Sequence, residues 1–278
     1  MLKEQPEKPV MISSNELVTV IITTFNRIDY LKTCISSIIK QTCTNLEIIV
    51  ISDGKDADAE ALIEDFNDSR ISYYELTHSG LPAIGRNFGI SVANGSYFAF
   101  CDDDDCWMPN KIERQLYKVS NSSSAIVHCD TLLMNSSNEI IQREKNGVII
   151  IANFIEKYIS RFKFFIYTKN NVTLSSILVR ASMLKDVRFA EQMHLRGSED
   201  YYFILKAVHS CTLSYLDEKL VCYRKHDSNI SNSRKDGYER SLIILRTLRQ
   251  EHRIKLFFYF LGELVYNLKL LFLTLRVK

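Results

Sequence analysis

An open α/β fold built on a mostly parallel sheet is predicted by three features of this chain. Four short apolar, β-rich runs occur in the first half of the chain, helical spacing separates them, and polar or acidic residues follow the runs. The 278 residues, 46% hydrophobic and 24% charged, can bury one large core or two modest ones, which excludes disorder as the main state. With 35 Lys and Arg against 33 Asp and Glu the net charge is +2, so nucleic acid is not an expected partner. Nine Gly and four Pro exclude collagen, and no fixed repeat suggests a solenoid.

The elements follow in order. Residues 1–17 carry charges and prolines where a secretory signal needs an apolar stretch, so they read as a loose tail of a protein on the cytosolic side. VTVIITT from Val18 is the first strand, and Leu31, Ile35, Ile38 and Ile39 fall at helical spacing after it. LEIIVIS from Leu46 is the second strand, residues 57–67 the next helix and ISYYEL from Ile71 the third strand. A helix from Ala83 to Ala93, closed by Gly95, leads to SYFAFC from Ser96. A helix from Asn110 to Val119 and a strand from Ala125 to Leu133 come next, and the stretch to Lys185 carries only loose signals. A helix from Ser198 places Tyr202, Leu205 and Val208 on one side. LSYLDEKLVCYRKH from Leu213 reads as a turn between two extended pieces, and the last forty residues as helix throughout. Seven cysteines without a C-x-x-C pair read as reduced thiols, and Trp107 as a packing residue.

Ligands of open α/β sheets collect beyond the carboxyl ends of the strands. Those positions hold Thr24-Phe25-Asn26-Arg27, Asp53-Gly54 and Asp102 to Asp105. Four consecutive carboxylates repel one another, and a divalent cation that also holds two phosphates would offset that repulsion; Mg²⁺ or Mn²⁺ suits hard oxygen ligands. GLPAIGRNFG lacks the ending of a P-loop and no G-x-G-x-x-G follows a strand, which removes the NTPase and dehydrogenase readings.

Five segments in order, VIITTFNR, GRNFGI, FCDDDDCWMPNKIERQ, GSED and YRKHDSNIS, give the chain from Val18 to about Ser231 a resemblance to glycosyltransferase family 2. These are inverting nucleotide-sugar transferases with a GT-A fold. The resemblance implies that Thr23 and Phe25 line the nucleotide base and that Asp53 reads it, an acceptor-only carboxylate being suited to the N3–H of uracil or thymine. It further implies that Arg86 contacts base or diphosphate, that Asp102 and Asp103 face the ribose or metal-bound water, that Asp104 is the metal ligand, and that His226 is a metal or diphosphate contact. Asp105 is expected to cap the following helix. Asp200 is the implied base with Glu199 beside it in the acceptor site, and Ser198 is placed as N-cap. Without a covalent nucleophile, direct displacement with inversion is expected. No Q-x-x-R-W motif follows Asp200, so one sugar is expected per visit.

Residues 232–278 form the expected helical extension: a cluster including Arg234, Arg240, Arg246 and Arg253 precedes an apolar stretch from Leu256 to Leu275. Glu263 and Lys269 near its middle disfavour a span, each costing about 2.5–3.5 kcal/mol at a bilayer centre. Glu263, Asn267, Thr274 and Lys278 share a polar stripe, and the broad apolar face suits the membrane interface, with packing on the domain or on a dimer mate as the other readings. The expectation is a peripheral enzyme of the inner membrane face that moves one sugar from a UDP-sugar to a saccharide or lipid-linked acceptor of surface polysaccharide. The rival readings are a metal-dependent nucleotidyl or phosphoryl transferase and a non-catalytic carbohydrate-binding relative.

Overall fold

The structure, a computed structural model, describes residues 16–141, 165–168, 170, 172–226 and 233–275. Most of the expected N-terminal tail, the Asp227–Ser231 end of the late motif, the boundary at 231/232 and Lys278 lie outside the described residues.

Strands β1 (Val18–Thr24), β2 (Leu46–Asp53), β3 (Ile71–Leu76) and β4 (Tyr97–Asp102) form the parallel half of one sheet, with helices α1 (Ile28–Ile39), α2 (Ala57–Phe66) and α3 (Pro82–Val92) as crossovers. The other half contains β5 (Cys106–Trp107), β6 (Ile126–Met134), β7 (Ile140–Ile141), β8 (Ile177–Arg180) and β9 (Leu213–Arg224). The order is β3-β2-β1-β4-β8-β6-β9-β5, with β7 beside β6, and β8 runs antiparallel to both β4 and β6. Helices α4 (Lys111–Ser120), α5 (Glu199–Ser210), α6 (Arg234–Gln250) and α7 (Leu256–Leu275) complete the described α-helices.

Alternation along the strands divides the core into two layers. Val18, Val20 and Ile22 of β1 face α1, α2 and α4, whereas Ile21 faces the cluster that contains α3, α5, α6 and Tyr266 of α7. Gly85 and Gly89 let α3 lie close on β1: a Cβ would meet Thr23 at 2.8 Å and Ile21 at 2.7 Å respectively. Trp107 is buried and carries the ammonium of Lys111 over its ring at 3.8 Å, which explains the packing half of the W-x-P-x-K segment.

Three local expectations are corrected. Gly95 does not close α3, whose C-cap is Ala93; it sits against Thr19, where a Cβ would meet the backbone N at 2.6 Å. The region from Leu213 is one strand, β9, and the expected turn is a bulge in its pairing, since Leu216 faces Cys129 while Lys219 faces Asp130. The C-terminal helix is broken between Gln250 and Leu256, where His252 takes a left-handed conformation (φ 57°), so α6 and α7 fold back on each other as a hairpin.

Candidate active site

The carboxyl ends of β1, β2 and β4 open on one cavity of about 390 Å³. Parallel register sets Thr23 beside Asp102 and Thr24 beside Ser52, so loops distant in sequence meet there. Thr23, Phe25, Asp53, Arg86, Asp102, Asp103, Asp104, Glu199 and Asp200 all line this cavity. His226 is not among the residues that line it; its Nε2 lies 2.9 Å from Asp104 Oδ2.

At one end Phe25 is 41% exposed and stacks on His78, centroids 4.3 Å apart. The Asp53 carboxylate accepts hydrogen bonds from the backbone N–H groups of Ser79 and Gly80, both at 2.8 Å, and from Ser79 Oγ at 2.9 Å. Its first task is thus to fix the loop that presents His78. No motif marks His78, although it follows the end of β3 and the strand-end rule points to that place.

The acidic block follows β4. Thr24 Oγ1 donates to Asp103 Oδ2 at 2.8 Å, and Arg27 Nη1 reaches Asp104 Oδ2 at 2.9 Å and Asp103 Oδ1 at 3.3 Å. Burial, then the charge of Asp104, pushes the proton affinity of Asp103 up to about 7, against the pull of Arg27. Asp105 does not cap a helix, because α4 starts at Lys111 with Asn110 at its N-cap position. Its carboxylate instead accepts from Ser175 Oγ at 2.6 Å and from the Arg224 backbone N–H at 3.0 Å. Arg224 Nε donates to the Asp104 carbonyl at 2.8 Å, and the Arg224 guanidinium lies over the Tyr30 ring. The Tyr-Arg-x-His segment therefore holds the acidic turn through the Arg224 backbone, the Arg224 side chain and His226.

Asp102, Asp104 and Asp105 each offer a carboxylate oxygen, all within 4.8 Å of one another. Hard oxygen donors at that spacing fit Mg²⁺ or Mn²⁺.

Arg86 joins the acidic block to the Glu-Asp pair. It is 6% exposed, and it gives Nη2 to Asp102 Oδ1 at 2.8 Å and Nη1 to Glu199 Oε1 at 2.9 Å. Burial opposes its charge, but Asp102, Glu199 and Asp200 outweigh that and hold it protonated. Glu199 Oε2 also accepts from the Gly197 N–H at 2.6 Å. Asp200, half-buried at the start of α5, accepts from the Tyr201 N–H at 2.7 Å. Burial first, and Glu199 second, raises its proton affinity to about 7. Ser198 occupies the N-cap position without capping: its hydroxyl donates to the Gly197 carbonyl at 2.9 Å and accepts from Arg240 Nε of α6 at 3.0 Å.

Residues 19–187 match the family model described as Glycosyl transferase family 2. An uncharacterized glycosyltransferase of Rickettsia bellii is 35% identical over 131 residues, 47% of this chain and 19% of that protein. The UDP-Glc:alpha-D-GlcNAc-diphosphoundecaprenol beta-1,3-glucosyltransferase WfgD of Escherichia coli is 24% identical over 256 residues, 91% of this chain and 94% of WfgD. The chain thus spans anything from a fifth to nearly all of the curated relatives it matches. Among solved structures, S. aureus TarS 1-349 in complex with UDP-GlcNAc shares the fold, with a TM-score of 0.64 at 21% identity over 83% of this chain and 66% of the TarS chain. With a family model matching more than half of its length and a fold shared with TarS, the chain belongs to glycosyltransferase family 2 and carries a GT-A-like fold.

Proposed function

We propose that the protein moves one sugar from a UDP-sugar to a hydroxyl of a saccharide on a lipid-linked acceptor, with inversion at the anomeric carbon and with Mg²⁺ or Mn²⁺. The observation that carries this reading is the meeting, in one cavity, of an acidic triad suited to a divalent ion and a carboxylate suited to a base, tied together through Arg86.

Phe25 and His78 offer a flat face for the uracil, and Asp53, whose oxygens have lone pairs beyond those that hold the loop, is the acceptor for its N3–H. Asp102, Asp104 and Asp105 would hold the divalent ion, which supplies charge neutralisation for the departing diphosphate. Asp103 supports the block from Thr24 and Arg27, and His226 orients Asp104. Asp200 takes the proton of the acceptor hydroxyl as that oxygen attacks. Glu199, held by Arg86 and Gly197, keeps the start of α5 in place and its negative charge raises the basicity of Asp200. WfgD, by its name, acts on a diphosphoundecaprenol-linked sugar, which motivates the acceptor class. The exposed apolar face of α7 motivates peripheral attachment at the cytosolic membrane face, where such acceptors are embedded.

The test is transfer by the purified chain to a polyprenyl-diphosphate saccharide, with UDP-glucose, UDP-GlcNAc and GDP-mannose offered in turn. Transfer is expected from a UDP-sugar, with the anomeric configuration inverted in the product and with activity lost on chelation. Retention of configuration, or transfer that survives chelation, would overturn the reading.

A further inference from the structure

Three arginines line the cavity, and two of them are tied to carboxylates: Arg27 to Asp103 and Asp104, Arg86 to Asp102 and Glu199. Arg196 differs. It is exposed at the cavity wall, its backbone N–H donates to the Met193 carbonyl at 3.2 Å, and its guanidinium meets no carboxylate among the described residues. The wall is otherwise rich in acids, so a guanidinium left without a counter-charge among the described residues is placed for an anion brought by a ligand.

The loop that carries Arg196 is built, not loose. Leu195 is 1% exposed in the core, the Ser198 N–H closes a turn on the Leu195 carbonyl at 2.9 Å, and Gly197 (φ 78°) turns the chain into α5. Arg240 of α6 braces the same loop through Ser198 Oγ. Helix α6 packs in turn on α7, so Arg196 and the apolar face of α7 belong to one packed unit. Arg196 also lies four residues before Asp200, on the base side of the cavity, whereas the acidic triad lies at the end of β4. Beside it Met193 is 58% exposed, an apolar surface next to the cation.

We propose that Arg196 binds the diphosphate of the acceptor, which makes it a specificity determinant for sugars carried on a lipid diphosphate over the same sugars on a neutral aglycone. The inference rests on the transferase reading above and adds the acceptor-side anion site. A diphosphate reaches this cavity from two sources, the donor nucleotide and the acceptor, and the experiment separates them.

The full chain, with Mn²⁺ and the UDP-sugar that supports turnover, is given two acceptors with the same terminal sugar: a polyprenyl-diphosphate saccharide and an alkyl glycoside. Wild type and the variants Arg196→Gln and Arg196→Lys are compared by kcat/KM for each acceptor and by KM for the donor. The expected result is a fall of about 10- to 100-fold in preference for the diphosphate acceptor in Arg196→Gln, the range of one lost charge-assisted contact, carried in KM and partly restored by Arg196→Lys. Equal loss on both acceptors would overturn the proposal. A rise in donor KM without a change in acceptor preference would assign Arg196 to the donor diphosphate and overturn it as well. Failure of the transferase reading shows differently: wild type itself then transfers to neither acceptor, and the inference falls with it.

Discussion

Asp200 sits under opposed influences, burial and Glu199 raising its proton affinity to about 7 and Arg86 lowering it. A base must be deprotonated to work, so transfer should rise with pH through about 7, and Arg86→Gln, which removes the lowering charge, should move that rise to higher pH. A profile of kcat/KM against pH for both proteins checks this, and an unshifted rise in the variant would argue against the assignment. Asp200→Asn keeps the shape and removes the acceptor for the proton, so turnover should fall by about 10²- to 10⁴-fold while calorimetry still shows donor binding. Asp104→Ala should instead abolish the chelator-sensitive part of donor binding in the same calorimetry. The carboxylates were legible in the sequence because they are local, a strand end and a Glu-Asp pair. The partners that define them were not: Asp105 is held by Ser175 and Arg224, and Ser198 by Arg240, from segments 42 to 119 residues away. No spacing rule spans such a distance.

Helix α7 shows how an element can be read correctly in type and incompletely in orientation. It is the one described helix long and apolar enough to cross a membrane by length and composition, Leu256–Thr274 with mean hydropathy 1.6. The charges that argue against a span have partners inside the protein. Lys269 Nζ donates to the Thr168 carbonyl at 2.6 Å and lies over the Tyr266 ring, and Glu263 pairs with Arg246 at 2.7 Å. Tyr266 is 1% exposed and donates to Tyr201 OH at 3.1 Å, while Gly262 lies so close to Leu245 that a Cβ would meet it at 2.6 Å. The opposite face leaves Phe257, Phe260, Leu264, Leu268, Leu271 and Phe272 exposed. Deleting α7 would therefore open the core, and the informative variant is Phe257→Ser/Phe260→Ser/Leu264→Ser. It should keep its melting temperature and lose binding to anionic vesicles in a flotation assay, with wild-type binding weakened but not eliminated by salt. Unchanged flotation would place the membrane contact elsewhere. The hairpin itself was hidden because its break uses neither Gly nor Pro but His252 in a left-handed turn, a conformation that only a few per cent of non-glycine residues adopt and that apolar spacing does not mark.

For the molecule as a whole, the layered α/β architecture was legible because β1, β2 and β4 are covered on both faces and so read as near-continuous apolar runs, with helical spacing between the runs. The other half was less so: β5, β7 and β8 have two, two and four residues, too few to show a pattern, and β8 enters the sheet between β4 and β6 from a distant part of the chain. What the architecture concentrates at the strand ends has a measurable consequence. Asp103 and Asp200 are both raised from an ordinary carboxylate value of 3.8 to about 7, chiefly by burial. A group that binds its proton more tightly when folded makes the folded state bind more protons than the unfolded one, so stability falls as pH rises across that interval. These two carboxylates thus contribute full stability below about pH 4 and lose it progressively by about pH 7, as each must ionise inside the fold. In scanning calorimetry without metal or nucleotide, the melting temperature should be lower at pH 8 than at pH 5.5. Mn²⁺ with UDP favours the ionised acidic block through the triad beside Asp103, so it should raise the melting temperature more at pH 8 than at pH 5.5 and narrow the difference. Equal stabilisation at both pH values would mean that the ligands bind away from these carboxylates, and the assignment of the strand-end cavity as the donor site would fail with it.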